Sequence, residues 1–281
     1  MDTFLRLALT GSSDVVCEKS LFVIDETGAL YGRGSNQRGL GDTHDREVMT
    51  RIPLGESAET VVTDEYSTYV IAISGALYAC GNNTYGQLGL GDEQNRSTLT
   101  RVPLDESVKT VVTGDGSVLV LTVDGALYAC GSNSYGQLGL GDRQNRSTLK
   151  RVPFEEKIKK IASYNCTCVI TISGVLYSCG LNDAGQLGLG DRENRSTLRM
   201  VPLEEKVKMV LVDGGSTFVL TVSGALYACG YNWYGQLGLG DSQDRPILTR
   251  VPLEESVDTV VTDGSSTYVL TVSGGIVYLR E

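Results

Sequence analysis

The feature that most constrains the fold is a segment of about 50 residues that recurs along the chain. Its core, Ser-Gly-Ala-Leu-Tyr-Ala-Cys-Gly or a close variant, places its first glycine at Gly28, Gly75, Gly125, Gly174, Gly224 and Gly274. A second block, Gly-Gln-Leu-Gly-Leu-Gly-Asp, starts at Gly86, Gly136, Gly185 and Gly235. A third block places prolines at Pro53, Pro103, Pro153, Pro202 and Pro252. The chain is therefore expected to consist of six copies of one structural unit.

Each copy has the pattern of four short β-strands. In the third copy, residues 108–113 and 118–123 are rich in β-branched side chains, and a Gly-Asp-Gly-Ser turn separates them. Asp124-Gly125 is typical of a tight turn and leads to a third strand at 126–130, and a fourth strand is expected around 150–152. The apolar spacing of 3.6 residues that a helical repeat requires is missing. Tandem four-stranded antiparallel units of this length predict an all-β fold, a β-propeller.

The two ends of the sequence bear on how such a propeller would close. The chain finishes after three strands of a sixth copy, and residues 3–9 stand in register with a fourth strand. We expect this N-terminal strand to complete the last blade and close a ring of six, because that removes open sheet edges and needs no insertion. The alternative places residues 3–9 in the first strand of the first copy. The predicted blades of this single domain, residues 1–281, are 11–54, 58–104, 108–154, 158–203, 207–253, and 257–281 plus 3–9.

Charge and composition exclude several classes of partner. The 281 residues carry 24 Lys and Arg against 34 Asp and Glu, which gives a net charge of −10. A chain this acidic is repelled by the nucleic-acid backbone and by anionic lipid. The apolar runs are too short for a membrane span, and the N-terminus does not resemble a signal peptide. These features predict a monomeric cytoplasmic protein that binds no nucleic acid and does not insert into membranes.

The residues that usually carry catalysis or bind metals are sparse. His44 is the only histidine, and the repeated Gly-Leu-Gly lacks the following helix and lysine of a phosphate-binding loop. Cys80, Cys130, Cys179 and Cys229 recur at one position of the repeat, which is typical of small core residues. Cys166 and Cys168 share one face of a strand, but two sulfurs without further ligands do not make a zinc site. We therefore predict no catalytic residue, no metal and no cofactor, and free thiols.

The repeat Gly-Ala-Leu-Tyr-Ala-Cys-Gly-Asn-Asn-Thr-Tyr-Gly-Gln-Leu-Gly-Leu-Gly-Asp resembles that of the regulator of chromosome condensation family, over almost the whole chain. The family commonly has seven blades. It includes a nucleotide exchange factor for the small GTPase Ran, ubiquitin-ligase scaffolds, a plant ultraviolet-B photoreceptor and an inhibitor of β-lactamase. Short members from intracellular bacteria act on host GTPases, and an effector of that kind would lie in the host cytosol. Trp233 is the only tryptophan, which argues against the photoreceptor.

The resemblance also suggests where a partner would bind. In the Ran exchange factor, the turn after the first strand of several blades faces the GTPase, with a Gly-Asp-Ser-His-like sequence. The matching turns here are residues 64–67, 114–117, 163–166, 213–216 and 263–266, in which no histidine occurs. No repeat exceeds 50 residues, so the inserted wedge of the exchange factor has no counterpart. The residues that these turns nominate for binding are Asp64, Glu65, Tyr66, Asp115, Tyr164, Asn165, Asp213 and Asp263.

Variation between the repeats identifies four aromatic residues as candidates for partner binding. In the Asn-x-x-Gly segment of each long loop the middle pair varies, and Tyr85, Tyr135, Trp233 and Tyr234 stand there. The strand order places this loop at the same end as the first turns, so aromatic and acidic residues would share one binding face. In the alternative interpretation, Tyr85 and Tyr135 only pack between blades.

Two further charge patterns recur. An aspartate precedes an arginine by four residues in every long loop, which predicts a structural ion pair; the pairs are Asp42–Arg46, Asp92–Arg96, Asp142–Arg146, Asp191–Arg195 and Asp241–Arg245. Acidic residues also follow the fourth strands, either as a solubilising rim or as an acidic ring for a basic partner. They are Glu56, Asp105, Glu106, Glu155, Glu156, Glu204, Glu205, Glu254 and Glu255.

The sequence thus favours a protein-binding propeller whose partner is a small GTPase of the Ran or Rab type, with guanine-nucleotide exchange as its only enzyme-like activity. The alternative is a scaffold or inhibitor propeller with a different protein partner. An enzyme with its own chemistry has the least support, since the motifs that it would need are missing.

Overall fold

The computed structural model of the chain describes residues 15–17, 20–34 and 46–279. Strands account for all of the regular secondary structure in these ranges. They form six antiparallel sheets, in each of which sequential strands are neighbours. Five sheets have four strands and the last has three.

The first three sheets are built from twelve strands. The first sheet contains β1 (Val15–Cys17), β2 (Ser20–Ile24), β3 (Leu30–Gly34) and β4 (Arg46–Arg51). The second contains β5 (Ala58–Thr63), β6 (Ser67–Ala72), β7 (Leu77–Gly81) and β8 (Arg96–Arg101). The third contains β9 (Val108–Thr113), β10 (Ser117–Thr122), β11 (Leu127–Gly131) and β12 (Arg146–Arg151).

The last three sheets contain eleven strands. The fourth sheet contains β13 (Ile158–Ser163), β14 (Cys166–Thr171), β15 (Leu176–Gly180) and β16 (Arg195–Met200). The fifth contains β17 (Val207–Asp213), β18 (Ser216–Thr221), β19 (Leu226–Gly230) and β20 (Arg245–Arg250). The sixth contains β21 (Val257–Thr262), β22 (Thr267–Thr271) and β23 (Ile276–Leu279).

The predicted strands agree with the observed ones except at the fourth position. In the third sheet the fourth strand was expected around 150–152, but β12 occupies Arg146–Arg151 and Pro153 follows it. Strand β12 lies at the sheet edge and its side chains are partly or fully exposed, so it lacks the apolar alternation that marks a half-buried strand. The pattern therefore located only its last residues.

The second strand of each sheet lies in the core. In β6, β10, β14 and β18 all six residues are buried, which the runs of β-branched and apolar side chains explain. Core clusters join residues of consecutive sheets: Leu77 and Val102 of the second repeat pack with Val108 and Val111 of the third. Within each unit, consecutive sheets thus bury apolar surface against one another, as the repeat pattern predicts.

The chain divides into two compact units. Unit 1 contains the described residues up to Val123, together with Tyr128–Ser132 and Asn145–Lys150. Unit 2 contains Asp124–Leu127, Asn133–Gln144 and the described residues from Arg151 onward. The first three sheets lie essentially in unit 1 and the last three in unit 2.

The predicted closure of the propeller involves the first strands and the last sheet of the chain. Strand β1 pairs with β2 through Val15–Phe22 and Cys17–Ser20, which agrees with the register that makes residues near 15 the first strand. The last sheet has three strands, as expected from the end of the sequence. The predicted closing strand, residues 3–9, lies outside the described residues, so closure of the last blade stays a prediction.

The long glycine-rich loops are tied to the outer strand of the following sheet. In unit 1 the Gly91 amide donates to the Ser147 carbonyl at 2.8 Å. In unit 2 the Gly141 amide donates to Ser196 and the Gly190 amide to Pro246, both at 2.8 Å. These bonds also satisfy backbone groups on the edges of the outer strands. These three loops are therefore held at a fixed position beside the next outer strand.

Candidate functional site

A buried asparagine shapes each long loop from within. Asn182 is fully buried; its Oδ1 accepts from the Leu187 amide at 2.9 Å and its Nδ2 donates to the Asp191 carbonyl at 3.0 Å. Asn83, Asn133 and Asn232 make the same pair of bonds in their own loops. The variable pair after each asparagine is thereby presented at the loop surface.

In the acidic first turn of the second sheet, one residue stabilises the turn and two others are exposed. Asp64 Oδ1 accepts from the Tyr66 amide at 2.8 Å and from the Ser67 amide at 2.7 Å, so this carboxylate caps the turn. Glu65 and Tyr66 are exposed, Tyr66 by 53%. Asp115, in the next turn, is also exposed. We call Glu65, Tyr66, Tyr85 and Asp115 the unit 1 surface.

Tyr85 joins the loop of the second sheet to the first turn of the third. A Cβ placed on Gly116 would lie 2.7 Å from Cδ2 of Tyr85, so the ring rests directly on this glycine. Tyr85 nevertheless keeps 47% of its surface exposed. The two interpretations of this tyrosine are compatible, since it packs between sheets and is available for contact.

In unit 2 several aromatic side chains among the predicted site residues are exposed. Trp233 is 72% exposed and Tyr234 56%, and the rings of Tyr231 and Tyr234 meet edge to face with centroids 6.1 Å apart. Tyr135 and Tyr164 are exposed as well. Asn165 is half-buried, and its buried Oδ1 has no hydrogen-bond partner among the described residues. We call Tyr164, Asp213, Trp233, Tyr234 and Asp263 the unit 2 surface.

The aspartates of the fifth and sixth first turns lie side by side but differ in environment. A Cβ on Gly264 would lie 3.7 Å from Asp213 Oδ1, and one on Gly214 would lie 2.7 Å from the Gly264 carbonyl oxygen. Burial raises the pKa of Asp213, the Gly214 amide opposes this, and the nearby Asp263 charge adds to the rise. Partial burial also acts on Asp263, but the amides of Ser266 and Ser265 and the Ser265 hydroxyl lower its pKa overall.

This difference predicts opposite effects of two matched substitutions on stability. Asp213 has a raised pKa in the folded state, so its ionised form lowers stability at neutral pH, and this loss disappears as the pH falls through its folded pKa. Asp213→Asn should raise the melting temperature at pH 7 by up to about 2 °C, with a smaller gain at acidic pH. Asp263, with a lowered pKa, stabilises when ionised, so Asp263→Asn should lower the melting temperature at pH 7. Thermal melts of both variants from pH 3 to 7 would measure these changes. A melting temperature that rises in both variants, or falls in both, would contradict the prediction.

Three of the five recurrent aspartate–arginine pairs form the predicted structural ion pair. Arg96 Nη2 lies 2.6 Å from Asp92 Oδ2, Arg195 lies 2.5 Å from Asp191, and Arg245 pairs with Asp241 in the same way. The Arg96 bond, with the Gln94 amide, lowers the pKa of Asp92. Each pair closes its own loop where the fourth strand begins. Asp42 and the Arg46 side chain, like Gln37, Arg38 and His44, lie outside what the structure describes.

At the opposite end of the sheets, five of the nine acidic rim residues have a structural role that the sequence analysis did not predict, because they accept side-chain hydrogen bonds; they are Glu56, Glu106, Glu156, Glu205 and Glu255. Glu56 accepts from the Tyr78 hydroxyl at 2.6 Å and from Ser74, and these bonds lower its pKa, the Ser74 bond most. The same tyrosine position binds Glu106, Glu156 and Glu205. The signal was present, because each of these four glutamates recurs 21 or 22 residues before a tyrosine. The exposed residues Asp105, Glu155, Glu204 and Glu254 leave both interpretations of the rim open.

The other predicted features concern thiols, metals and membranes. The six cysteines whose side chains the structure describes are free and buried, and burial raises the pKa of Cys80, Cys130, Cys179 and Cys229 well above the usual range of a thiol. Among the described residues no group of three or more His, Cys, Asp or Glu side chains could hold a metal ion. No helix in the described ranges is long and apolar enough to span a membrane.

The sequence matches a known repeat family, and the fold matches solved structures. The model of the regulator of chromosome condensation (RCC1) repeat matches residues 74–121, 124–170, 173–222 and 223–275, and a second model of the same repeat matches 108–137. No curated protein sequence matches the chain.

Three solved structures show the fold. Human WBSCR16 superposes with a TM-score of 0.79 at 20% identity, over 93% of this chain and 74% of that one. Prp20p from Saccharomyces cerevisiae, described with its binding properties to Gsp1p and histones, gives 0.73 at 19% identity, over 86% and 64%. Yeast Prp20 bound to Kap60 gives 0.74 at 18% identity, over 94% and 65%. The chain thus spans about two thirds of the length of Prp20. The fold is that of an all-β propeller, and with the repeat model matched over most of its length, the chain belongs to the RCC1 repeat family.

Proposed function

We propose that this chain binds a small GTPase of the Ran or Rab type through its acidic and aromatic loops, and that binding promotes release of the guanine nucleotide. The observation that carries the proposal is the environment of Asp213. Its carboxylate is half-buried beside Asp263, and no described cation forms an ion pair with it. A half-buried carboxylate without a cationic partner, at the end of the sheet that also carries exposed aromatic side chains, is typical of a binding site.

The physical character of the unit 2 surface suits a protein partner. Large aromatic side chains supply most of the energy of protein interfaces, and Trp233 and Tyr234 are the exposed ones in this loop. Acidic side chains at the rim accelerate association with a basic surface, and salt weakens that effect. The unit 1 surface has the same two components, with Tyr66 and Tyr85 beside Glu65 and Asp115.

Family membership adds the class of partner. Prp20p, which shares the fold, is described by its binding to Gsp1p and histones, and the repeat resembles that of an exchange factor for Ran. Exchange requires no catalytic side chain. A protein that binds the nucleotide-free GTPase more tightly than the loaded form must weaken nucleotide binding by the same factor.

The test is release of a fluorescent guanine nucleotide from a panel of purified Ran and Rab GTPases, with capture of each GTPase by the immobilised chain. We expect capture and faster release with at least one member. Trp233→Ala and Asp115→Lys should each weaken capture about tenfold or more. Glu254→Lys is the matched control, because it makes the same charge change as Asp115→Lys at the other end of the sheets. Melting curves of all three variants should stay close to that of the unmodified chain.

Two results would contradict the proposal. Capture of no member of the panel would exclude a Ran or Rab partner, and equal loss with Glu254→Lys and Asp115→Lys would show that only net charge matters. Capture of a different protein through Trp233 would instead support the scaffold or inhibitor function. The histone binding described for Prp20p is the observation that favours this second candidate.

A further inference from the structure

The turn between the second and third strands carries an exposed apolar side chain in five of the six repeats. We call these turns the hairpin tips, and they lie at the end of the sheets that carries the acidic rim. Each apolar residue stands second in a four-residue turn, which in the second sheet is closed by the Gly75 amide donating to the Ala72 carbonyl at 2.8 Å. The five side chains are 66–70% exposed; they are Ile73, Val123, Ile172, Val222 and Val272.

The turn itself does not require an apolar residue at this position. The first repeat closes the same turn, with the Gly28 amide donating to the Asp25 carbonyl at 2.9 Å, and has the exposed Glu26 at the second position. Exposed turns favour glycine, proline, asparagine, aspartate and serine, whereas valine and isoleucine favour strands. A recurring exposed apolar residue that neither the turn nor the core needs is typical of an interaction surface.

The tip of the second sheet lies between two serines. The Ile73 amide donates to the Ser57 carbonyl at 3.0 Å, and Cβ of Ser107 lies 2.7 Å from the position of a Cβ on Gly75. The Val123 amide, in the tip of the third sheet, donates to the carbonyl of the same Ser107 at 2.9 Å. The backbone therefore holds Ile73 and Val123 on either side of Ser107, as two neighbouring exposed apolar side chains.

The charges beside this pair are mainly acidic. Glu56 accepts from the hydroxyl of Ser74, within the tip, at 2.5 Å, and this bond is the largest cause of the lowered pKa of Glu56. Asp105 and Glu106 lead into the serine between the two tips, and both are exposed. Arg101 is the cation whose charge acts on Glu56, so it offsets one of the three carboxylates. The pair of tips thus lies in a region of net negative charge.

The tip of the fourth sheet has the same apolar residue between two lysines. The Ile172 amide donates to the Lys157 carbonyl at 2.9 Å, and Cβ of Lys206 lies 3.0 Å from the position of a Cβ on Gly174. Ile73 and Ile172 are exposed to nearly the same extent, 66% and 67%. The two tips present the same side chain in the same turn and differ in the charge beside it, so only the tip with Ile73 is complementary to a cationic partner.

We propose that the tips of the second and third sheets bind a segment of a partner protein in which apolar side chains are flanked by lysine or arginine. The apolar side chains cover Ile73 and Val123, and the cations lie against Glu56, Asp105 and Glu106. Burial of the two tips supplies the affinity, and the carboxylates select against acidic segments. A second copy of this chain is disfavoured as the occupant, because two chains of net charge −10 repel each other. The proposal uses the end of the sheets away from the acidic turns and aromatic loops, so it does not depend on the proposed function.

The experiment is an NMR titration of the chain with the capped peptide Lys-Leu-Lys-Leu-Lys, followed at the amides of Ile73, Gly75 and Val123. Capped Lys-Ser-Lys-Ser-Lys is the first control, since it keeps the charge and lacks the apolar side chains. Capped Glu-Leu-Glu-Leu-Glu is the second, since it keeps the apolar side chains and reverses the charge. We expect saturable shifts with the lysine–leucine peptide and at least about fivefold weaker binding of both controls.

Ile73→Glu is the most informative variant, because charge and apolar contact predict opposite effects. It adds a carboxylate, so binding through charge alone would become tighter, whereas loss of the apolar contact should weaken binding at least about threefold. The first repeat has glutamate at this position, so the variant should fold with an unchanged melting curve. Ile172→Glu, between its two lysines, is the matched control and should leave binding at the tip with Ile73 unchanged. Asp105→Lys should weaken binding by a similar factor through charge.

Three results would overturn the proposal. Unchanged or tighter binding by Ile73→Glu, or equal binding of the lysine–serine peptide, would show that the acidic rim attracts cations without an apolar docking surface. Titration without saturable shifts at the three amides would remove the site altogether. Sedimentation velocity of the unmodified chain tests the other occupant: self-association that Ile73→Glu abolishes would show that a second copy covers the tips instead of a basic partner.

Discussion

Replacing Gly86 by alanine is expected to lower the free energy of unfolding by about 3–5 kcal/mol. Gly86 has a φ of +78°, which a side chain disfavours, and a Cβ there would lie 2.4 Å from Cα and 2.9 Å from N of Ser147. Both atoms belong to the backbone of the outer strand β12, so no side-chain rotation can relieve the clash. The loop or the strand must move, and the bond from the Gly91 amide to the Ser147 carbonyl would be strained.

Gly91→Ala provides the matched control in the same loop. Gly91 also has a positive φ, +95°, but the nearest atom to a Cβ there is Thr148 Cγ2 at 3.8 Å. Its substitution should cost only the conformational strain, about 1–2 kcal/mol. Urea or thermal unfolding of the two variants measures the difference. Losses of equal size would show that close approach to the outer strand contributes nothing.

Replacing Asn182 by alanine should cost about 2–5 kcal/mol, because it removes the partner of one buried and one partly buried backbone group. The amide of Leu187 and the carbonyl of Asp191 both bond to this fully buried side chain. Alanine also leaves a small cavity where the side chain was. Besides lower stability, we expect faster hydrogen exchange at the Leu187 amide, measured by NMR.

Asn194→Ala is the control for that loop. Asn194 is half-buried, and its Oδ1 accepts from the Asn182 amide at 2.8 Å. Loss of this single bond should cost about 1 kcal/mol and leave exchange at Leu187 slow. If Asn194→Ala were the more damaging of the two, the loop would not be organised around Asn182 as the hydrogen bonds indicate.

The repeat made most of the fold predictable. In the third copy, β-branched residues and turn glycines located the first three strands, β9, β10 and β11, within one residue. The fourth strands were harder to locate, because β12 lies at an edge with partly or fully exposed side chains. The recurring aspartate–arginine pairs were predictable for the same reason as the strands: identical spacing in every copy imposes identical local geometry.

The candidate site was only partly accessible from the sequence. The sequence identified the acidic turns and the aromatic loops as candidate binding regions, but it did not show which of their residues stabilise a turn and which do not. Asp64 and Asp263 both cap their turns through backbone amides, whereas Asp213 is half-buried and close to Asp263. The local sequences of these turns are similar, so the distinction depends on the neighbouring turn and on burial.

The sequence by itself determined the number and type of structural units, the family, and the residues that could vary without disturbing the repeat. Short-range pattern is enough for this, because strands and turns are set by alternation and by backbone preference. Tertiary structure alone decided which of the repeated residues are used internally and which remain exposed. Glu56 bonds to Tyr78, and Tyr85 covers Gly116. These outcomes depend on contacts between segments about 20 to 30 residues apart, whose distances in space no local pattern specifies.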